Sequence, residues 1–123
     1  MILLDTNAIL FLVTGHRRAH PLISSKKPLY VSPMSLLELE LLVSIGRITA
    51  QGGVRVADVA SDSRWVVDDV SFAELIDESL ALSWTRDIFD RLITAHALRR
   101  GWTLATSDER ILSNLPERRT LAL

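Results

Sequence analysis

Four short apolar runs of strand length punctuate the chain: ILLD (2–5), LYVS (29–32), WVVDDVS (65–71) and WTLAT (102–106). The segments between them are long enough for helices, and strands joined by helical crossovers lie parallel. Runs this short and this apolar suit a sheet covered on both faces. The order reads β-α-α-β-α-(α)-β-α-α-β-α-β, with TLAL (120–123) as a closing edge strand. The fold class that follows is α/β: a three-layer α/β/α sandwich around a central, mainly parallel sheet of four or five strands.

The helix boundaries are marked by residue chemistry. Asp5 or Thr6 can cap a helix over 7–14, closed by Gly15. A short helix is expected near 18–25, with Pro21 close to its start. Ser32-Pro33 combines a capping hydroxyl with a proline at the first helical position, opening a helix over 33–45 that ends at Gly46. RITAQGG (47–53) suggests a short helix or turn. VRVADVASDS (54–63) suggests a helix with Val54, Ala57 and Ala60 inward. The third strand runs into a helix over about 72–82. A long helix over 87–99 is stopped by Gly101, and DERILSNL (108–115) is a short helix blocked by Pro116.

At 123 residues the chain fits one domain, 1–123, with one core. An apolar share of 48% argues against disorder. There is no cysteine, which excludes a disulfide framework and thiolate metal sites and suits a reducing, cytoplasmic setting. MILLDTNAILFLVTG (1–15) lacks a basic leader, carries Asp5 inside its apolar run and is too short to span a bilayer, so no membrane association is expected. The net charge of −1 hides a split: residues 60–90 hold eight acids against Arg64 and Arg86. Twelve arginines to two lysines suit bidentate contacts with phosphate or carboxylate.

The acids fall at comparable topological places. Asp5 closes the first strand, Asp108 lies two residues beyond the fourth, and Glu38 sits early in the helix after the second. Ligands of parallel sheets bind just outside the carboxyl ends of the strands. Glu38 has Met34, Ser35, Leu41 and Leu42 as helical neighbours, an unusual setting for a surface acid. In WTRDIFDRLITAHA (84–97), Asp87 and Asp90 share one side of an otherwise apolar helix with Arg86, Arg91 and Thr94. Asp87 also suits a helix N-terminus, but Asp90 lies a turn further in and needs an arginine or a cation. Gathered carboxylates must protonate, pair or bind metal. Oxygen-only ligands point to Mg²⁺ or Mn²⁺ rather than zinc, and such an ion serves phosphate chemistry. His96 reads as packing, His16 and His20 as surface residues. Trp65, Trp84 and Trp102 read as core or interface anchors, with Trp84 also placed to meet a substrate.

LLDTN (3–7), SLLELE (35–40), RDIFDRLITAHAL (86–98) and LATSDERI (104–111), in this order, resemble the PIN-domain ribonucleases, specifically the toxins of VapBC-type toxin–antitoxin pairs. Ile88 departs from the family's usual proline. The resemblance implies a PIN-like fold and metal-dependent hydrolysis of an RNA phosphodiester. Its catalytic acids fall on Asp5, Glu38, Asp90 and Asp108, with Asp5, Asp90 and Asp108 as metal ligands for Mg²⁺ or Mn²⁺. Asp87 is implied as an auxiliary acid. Thr6 and Asn7 would orient Asp5 or a bound water, and Thr106 would do the same for Asp108. Arg86 and Arg91 would either touch phosphate or pair with Asp87 and Asp90. The implied partners are RNA, a cognate antitoxin seated in a groove formed by LFLV (10–13) and LELLV (39–43), and a second copy in a homodimer. Operator DNA would be met only through the antitoxin. A metal-dependent phosphatase, a DNA nuclease and a non-catalytic RNA- or protein-binding module of the same fold are the alternatives.

Overall fold

The chain runs β1 (Ile2–Leu4), α1 (Thr6–Thr14), a 3₁₀ turn (Arg17–Ala19), α2 (His20–Ser24), β2 (Leu29–Val31), α3 (Pro33–Ser44), α4 (Val56–Ser61), β3 (Val66–Val67), α5 (Phe72–Ser79), α6 (Ile88–Arg100), β4 (Thr103–Thr106), α7 (Glu109–Asn114), a second 3₁₀ turn (Glu117–Arg119) and β5 (Thr120–Ala122). The computed structural model describes residues 1–48 and 54–123. The strands form one parallel sheet in the order β3-β2-β1-β4-β5. β1 is central, with Ile2 level with Leu29 on one side and Thr103 on the other.

Two cores cover the two faces because alternate strand residues point to opposite sides. Ile2, Leu4, Val31 and Ala105 pack with Ala8, Ile9 and Leu12 of α1 and Leu39 of α3. Leu3 and Leu104 pack with Leu75 of α5, Leu92, Ile93 and Ala97 of α6, and Ile111 of α7. The result is the three-layer α/β/α sandwich, with five strands. Among the described residues, no helix is long and apolar enough to cross a membrane.

The helix starts follow the capping chemistry of the sequence. Asp5 accepts from the Ala8 amide at 2.7 Å, Ser32 from Met34 at 3.2 Å, Asp87 from Asp90 at 3.0 Å and Asp108 from Ile111 at 2.9 Å. Gly15 and Gly101 end α1 and α6 with φ of 68° and 69°, a region that a side chain disfavours.

Several expectations need correction. α4 buries Val59 together with the preceding Val54, while Ala57 and Ala60 are exposed. The Trp65 indole donates to the Val59 carbonyl at 2.8 Å, so the large ring selects the valine face of this short helix. The third strand is two residues long rather than seven, and the helix after it ends at Ser79. The Asp68 amide still donates to the Val31 carbonyl at 2.9 Å, and its carboxylate is taken by His96 and Arg100. In LFLV (10–13) Leu12 is buried, and Leu10, Phe11 and Val13 are half-buried against the first core. On the other helix, Leu39 is buried and the exposed apolar positions are Leu37, Leu41 and Ile45. Most of RITAQGG (47–53) lies outside the described residues. Its first two amides, Arg47 and Ile48, bond the Leu42 carbonyl.

Candidate active site

Asp5, Thr6, Asn7, Glu38, Leu42, Asp87, Asp90 and Asp108 line one cavity of about 230 Å³ at the carboxyl edge of the sheet. Five carboxylates therefore meet, and among the described residues no lysine or arginine lines the space. The placement follows from topology. β1 ends at Leu4 and hands Asp5 to the start of α1, β4 ends at Thr106 and hands Asp108 to the start of α7, and α6 brings Asp87 and Asp90 in its first turn. Three of the five acids are thus helix N-caps, each giving one oxygen to its own helix. Glu38 alone comes from a helix interior.

The hydroxyls divide the acids between them. The Thr6 hydroxyl donates to Glu38 Oε1, not to Asp5. The Thr106 hydroxyl accepts from the Asp108 amide at 3.0 Å and also hydrogen-bonds the Asp5 carboxyl. Asn7 is exposed on the cavity rim.

Crowding and burial show in the acidities. Burial pushes the Asp5 carboxyl up to about 6, aided by the charges of Glu38 and Asp108 and opposed by hydrogen bonds from Thr106 and Ala8. Asp90, half-buried, is pushed up to about 7 by burial and then by Asp87, Asp108, Glu38 and Asp5. Glu38 is raised by burial and by Asp87, with the Thr6 hydrogen bond pulling it back. Burial is the largest cause of each shift, and among the described residues no counter-charge lines the cavity to offset it.

The arginines do not supply it. Arg91 donates through Nε to the Ser79 carbonyl at 2.8 Å and through Nη2 to Leu80 at 3.4 Å, tying α6 to the end of α5. That corrects the expectation that it faces phosphate or the acids: carbonyls at a helix end are ready acceptors for a guanidinium. Arg86 is exposed and, among the described residues, is not paired with Asp87 or Asp90. Trp84 is half-buried and packs in the second core, and Trp102 stacks on Tyr30 with centroids 4.3 Å apart.

The donor set fits a hard cation. Every polar group on the cavity is an oxygen donor, apart from the Asn7 amide nitrogen. Among the described residues no three acidic or histidine side chains stand close enough to cage an ion unaided. Magnesium suits such a loose ring because it keeps several waters and takes one or two carboxylates directly.

One polar cluster was not read from the sequence. His96 is fully buried on α6, with Nε2 2.7 Å from Asp68 Oδ2, while Arg100 Nε reaches the same oxygen at 2.8 Å. The i,i+4 pairing of His96 with Arg100 was visible as spacing, but Asp68 comes from a strand end 28 residues earlier and carried no local signal.

No curated protein matches the chain. Solved structures do. A chain of a toxin–antitoxin complex from Klebsiella pneumoniae superposes with a TM-score of 0.71 at 18% identity, covering 99% of this chain and 97% of that one. A chain of VapBC2 from Rickettsia felis, bound to a DNA fragment from its promoter, gives 0.71 at 21%, covering 100% and 99%. VapC20 of Mycobacterium tuberculosis, a sarcin–ricin-loop-cleaving toxin, gives 0.66 at 22%, covering 97% and 99%. At these identities the likeness establishes the fold. The family itself is established by the sequence profile of the PIN domain, which matches residues 2–117 and so takes in every acid of the cavity: the chain belongs to the PIN domain family.

Proposed function

We propose that this chain is a metal-dependent endoribonuclease, the toxin of a toxin–antitoxin pair, using Mg²⁺ or Mn²⁺ at the carboxylate cavity. The observation that carries the reading is five acids around one small space with no basic side chain among them. Family membership supports nuclease chemistry, and the structural neighbours described as toxins or toxin–antitoxin complexes support the biological setting. A cognate antitoxin is the proposed protein partner, with operator DNA reached through it and a second copy of the chain as homodimer partner.

Asp5, Asp90 and Asp108 would hold the ion, directly or through water, with Asp87 adding negative charge beside them. When bound, the ion would supply Lewis-acid stabilisation of the phosphoryl charge and a more acidic water. Glu38, whose acidity is weakened by burial, is suited to accept a proton from the attacking water. Water adds to phosphorus, the bond to the 3′ oxygen breaks, and the products are a 5′ phosphate and a 3′ hydroxyl.

The test is to sequence the RNA ends produced by the purified chain with Mn²⁺ or Mg²⁺, using Asp5→Asn as control. Discrete internal cuts with 5′-phosphate ends, lost in the variant, are expected. Cutting unchanged in Asp5→Asn overturns the assignment. DNA cleavage alone, release of phosphate from monoesters, or calorimetry showing no metal uptake would favour the nuclease, phosphatase and scaffold alternatives respectively.

A further inference from the structure

We infer that Thr6 is a positioning residue for Glu38: its hydroxyl pins one oxygen of that carboxylate and leaves the other for the cavity. The inference rests on the proposed nuclease reading for its functional consequence, but on geometry for its substance. Thr6 is 5% exposed and has one hydroxyl proton, which it gives to Glu38 Oε1 across 32 residues of chain. Among the described residues this is the one hydrogen bond the Glu38 carboxylate makes.

The need is greatest at Glu38. Asp5, Asp87 and Asp108 are short side chains held by amides of the helices they cap. Asp90 has two side-chain torsions and lies in the first turn of α6. Glu38 has three torsions and sits at the sixth position of α3, where the backbone amides are already spent on the helix. Of its helical neighbours, Met34 and Leu42 offer no donor, the buried Ser35 hydroxyl makes no bond to it among the described residues, and exposed Leu37 and Leu41 mark open solvent nearby. The donor that holds its carboxylate at the cavity comes from another element, the first residue of α1. The bond also joins α1 to α3 at the cavity, where the two helices already pack through Ala8, Ile9, Leu12 and Leu39. Asp5 does not need this hydroxyl, since Ala8 and Thr106 already serve it.

The experiment compares Thr6→Val, which keeps the branched shape and removes the donor, with Thr6→Ser, which keeps the donor. Side-chain couplings of Glu38 in the metal-free chain, read by NMR, should report one rotamer in the parent and in Thr6→Ser, and averaging in Thr6→Val. With Mn²⁺ and RNA, Thr6→Val should lower kcat by roughly 10–100-fold with KM nearly unchanged, the range for residues supporting a metal or catalytic group. Thr6→Ser should recover most of that loss. In a Glu38→Ala background, Thr6→Val should have no further effect. A single Glu38 rotamer in Thr6→Val, equal losses in the valine and serine variants, or an undiminished effect of Thr6→Val without Glu38 each overturns the inference. If the parent neither binds Mn²⁺ nor cleaves RNA, the nuclease reading fails, and the rotamer measurement still decides the role of Thr6. Should the valine variant not fold, Thr6→Ala carries the same comparison.

Discussion

Asp5 carries two obligations in one side chain. One oxygen caps α1, and the carboxylate as a whole sits 6% exposed among other acids. Asparagine caps a helix about as well as aspartate, so Asp5→Asn removes the charge and keeps the cap. RNA cleavage in Asp5→Asn and in Asp90→Asn is expected to fall by more than the roughly 10–100-fold typical of outer-shell partners, while the denaturation midpoint at pH 7 stays level or rises. The pH dependence has a definite sign. Asp5 and Asp90 are raised to about 6 and about 7, so the metal-free folded state holds protons that the unfolded chain releases near pH 4. Their favourable contribution is complete below that pH and is lost as pH rises through 6 and 7. The melting temperature of Asp5→Asn should therefore match the parent near pH 4 and exceed it near pH 7. A gap that shrinks with rising pH would refute this account. Thr6, Thr106, Asp5, Asp90 and Asp108 are legible as chemistry-bearing residues, but which hydroxyl serves which acid is not: the family resemblance leaves Thr6 to orient Asp5 or a bound water, and in the fold it binds Glu38.

α6 is the element on which most depends. Its first turn brings Asp87 and Asp90 to the cavity, its middle is buried, and its last turns hold His96 and Arg100 on Asp68. Burial alone would raise Asp68, yet hydrogen bonds from Arg100 and His96 hold it below the usual carboxylate range. Burial keeps His96 below its ordinary value against the pull of Asp68. Asp68→Ala leaves His96 buried without a partner at either nitrogen, since among the described residues Nδ1 already lacks one. A loss of about 2–3 kcal/mol in urea denaturation is expected. Thr94, on the same helix, has a buried hydroxyl with no partner among the described residues. Thr94→Val replaces it with a methyl of like size and is expected to stabilise the fold by about 1 kcal/mol, seen as a higher midpoint with RNA cleavage retained. The caps and stops of α6 were legible because Asp87 and Gly101 are local signals. The short third strand was not, because β3 pairs on one side only, with β2, and its length is set by that distant partner.

For the molecule as a whole, net charge conceals the arrangement that matters. The overall value is −1, but five acids converge on one edge of the sheet. A divalent cation that binds there should stabilise the folded chain by linkage, by about 2.7 kcal/mol at a concentration of 100 times Kd. Mn²⁺ is expected to raise the melting temperature of the parent near pH 7 and to do so far less in Asp90→Asn. An equal shift in both would place the cation elsewhere. Leu37 and Leu41 of α3 and Ile45 at its end are exposed about one turn apart and offer the proposed protein partners an apolar surface beside the half-buried LFLV segment.

Local chemistry determined the element order, the helix caps and the parallel three-layer class, because strand-length apolar runs, capping aspartates and stopping glycines act over a few residues. The same chemistry put acids at strand ends and helix starts. Tertiary structure alone decided that residues 5, 38, 87, 90 and 108 share one cavity, that Arg91 is turned onto the end of α5, and that Glu38 is held by Thr6. Each of those depends on contacts between segments distant in sequence, where hydrogen-bond geometry and burial choose among partners that the linear order leaves equivalent.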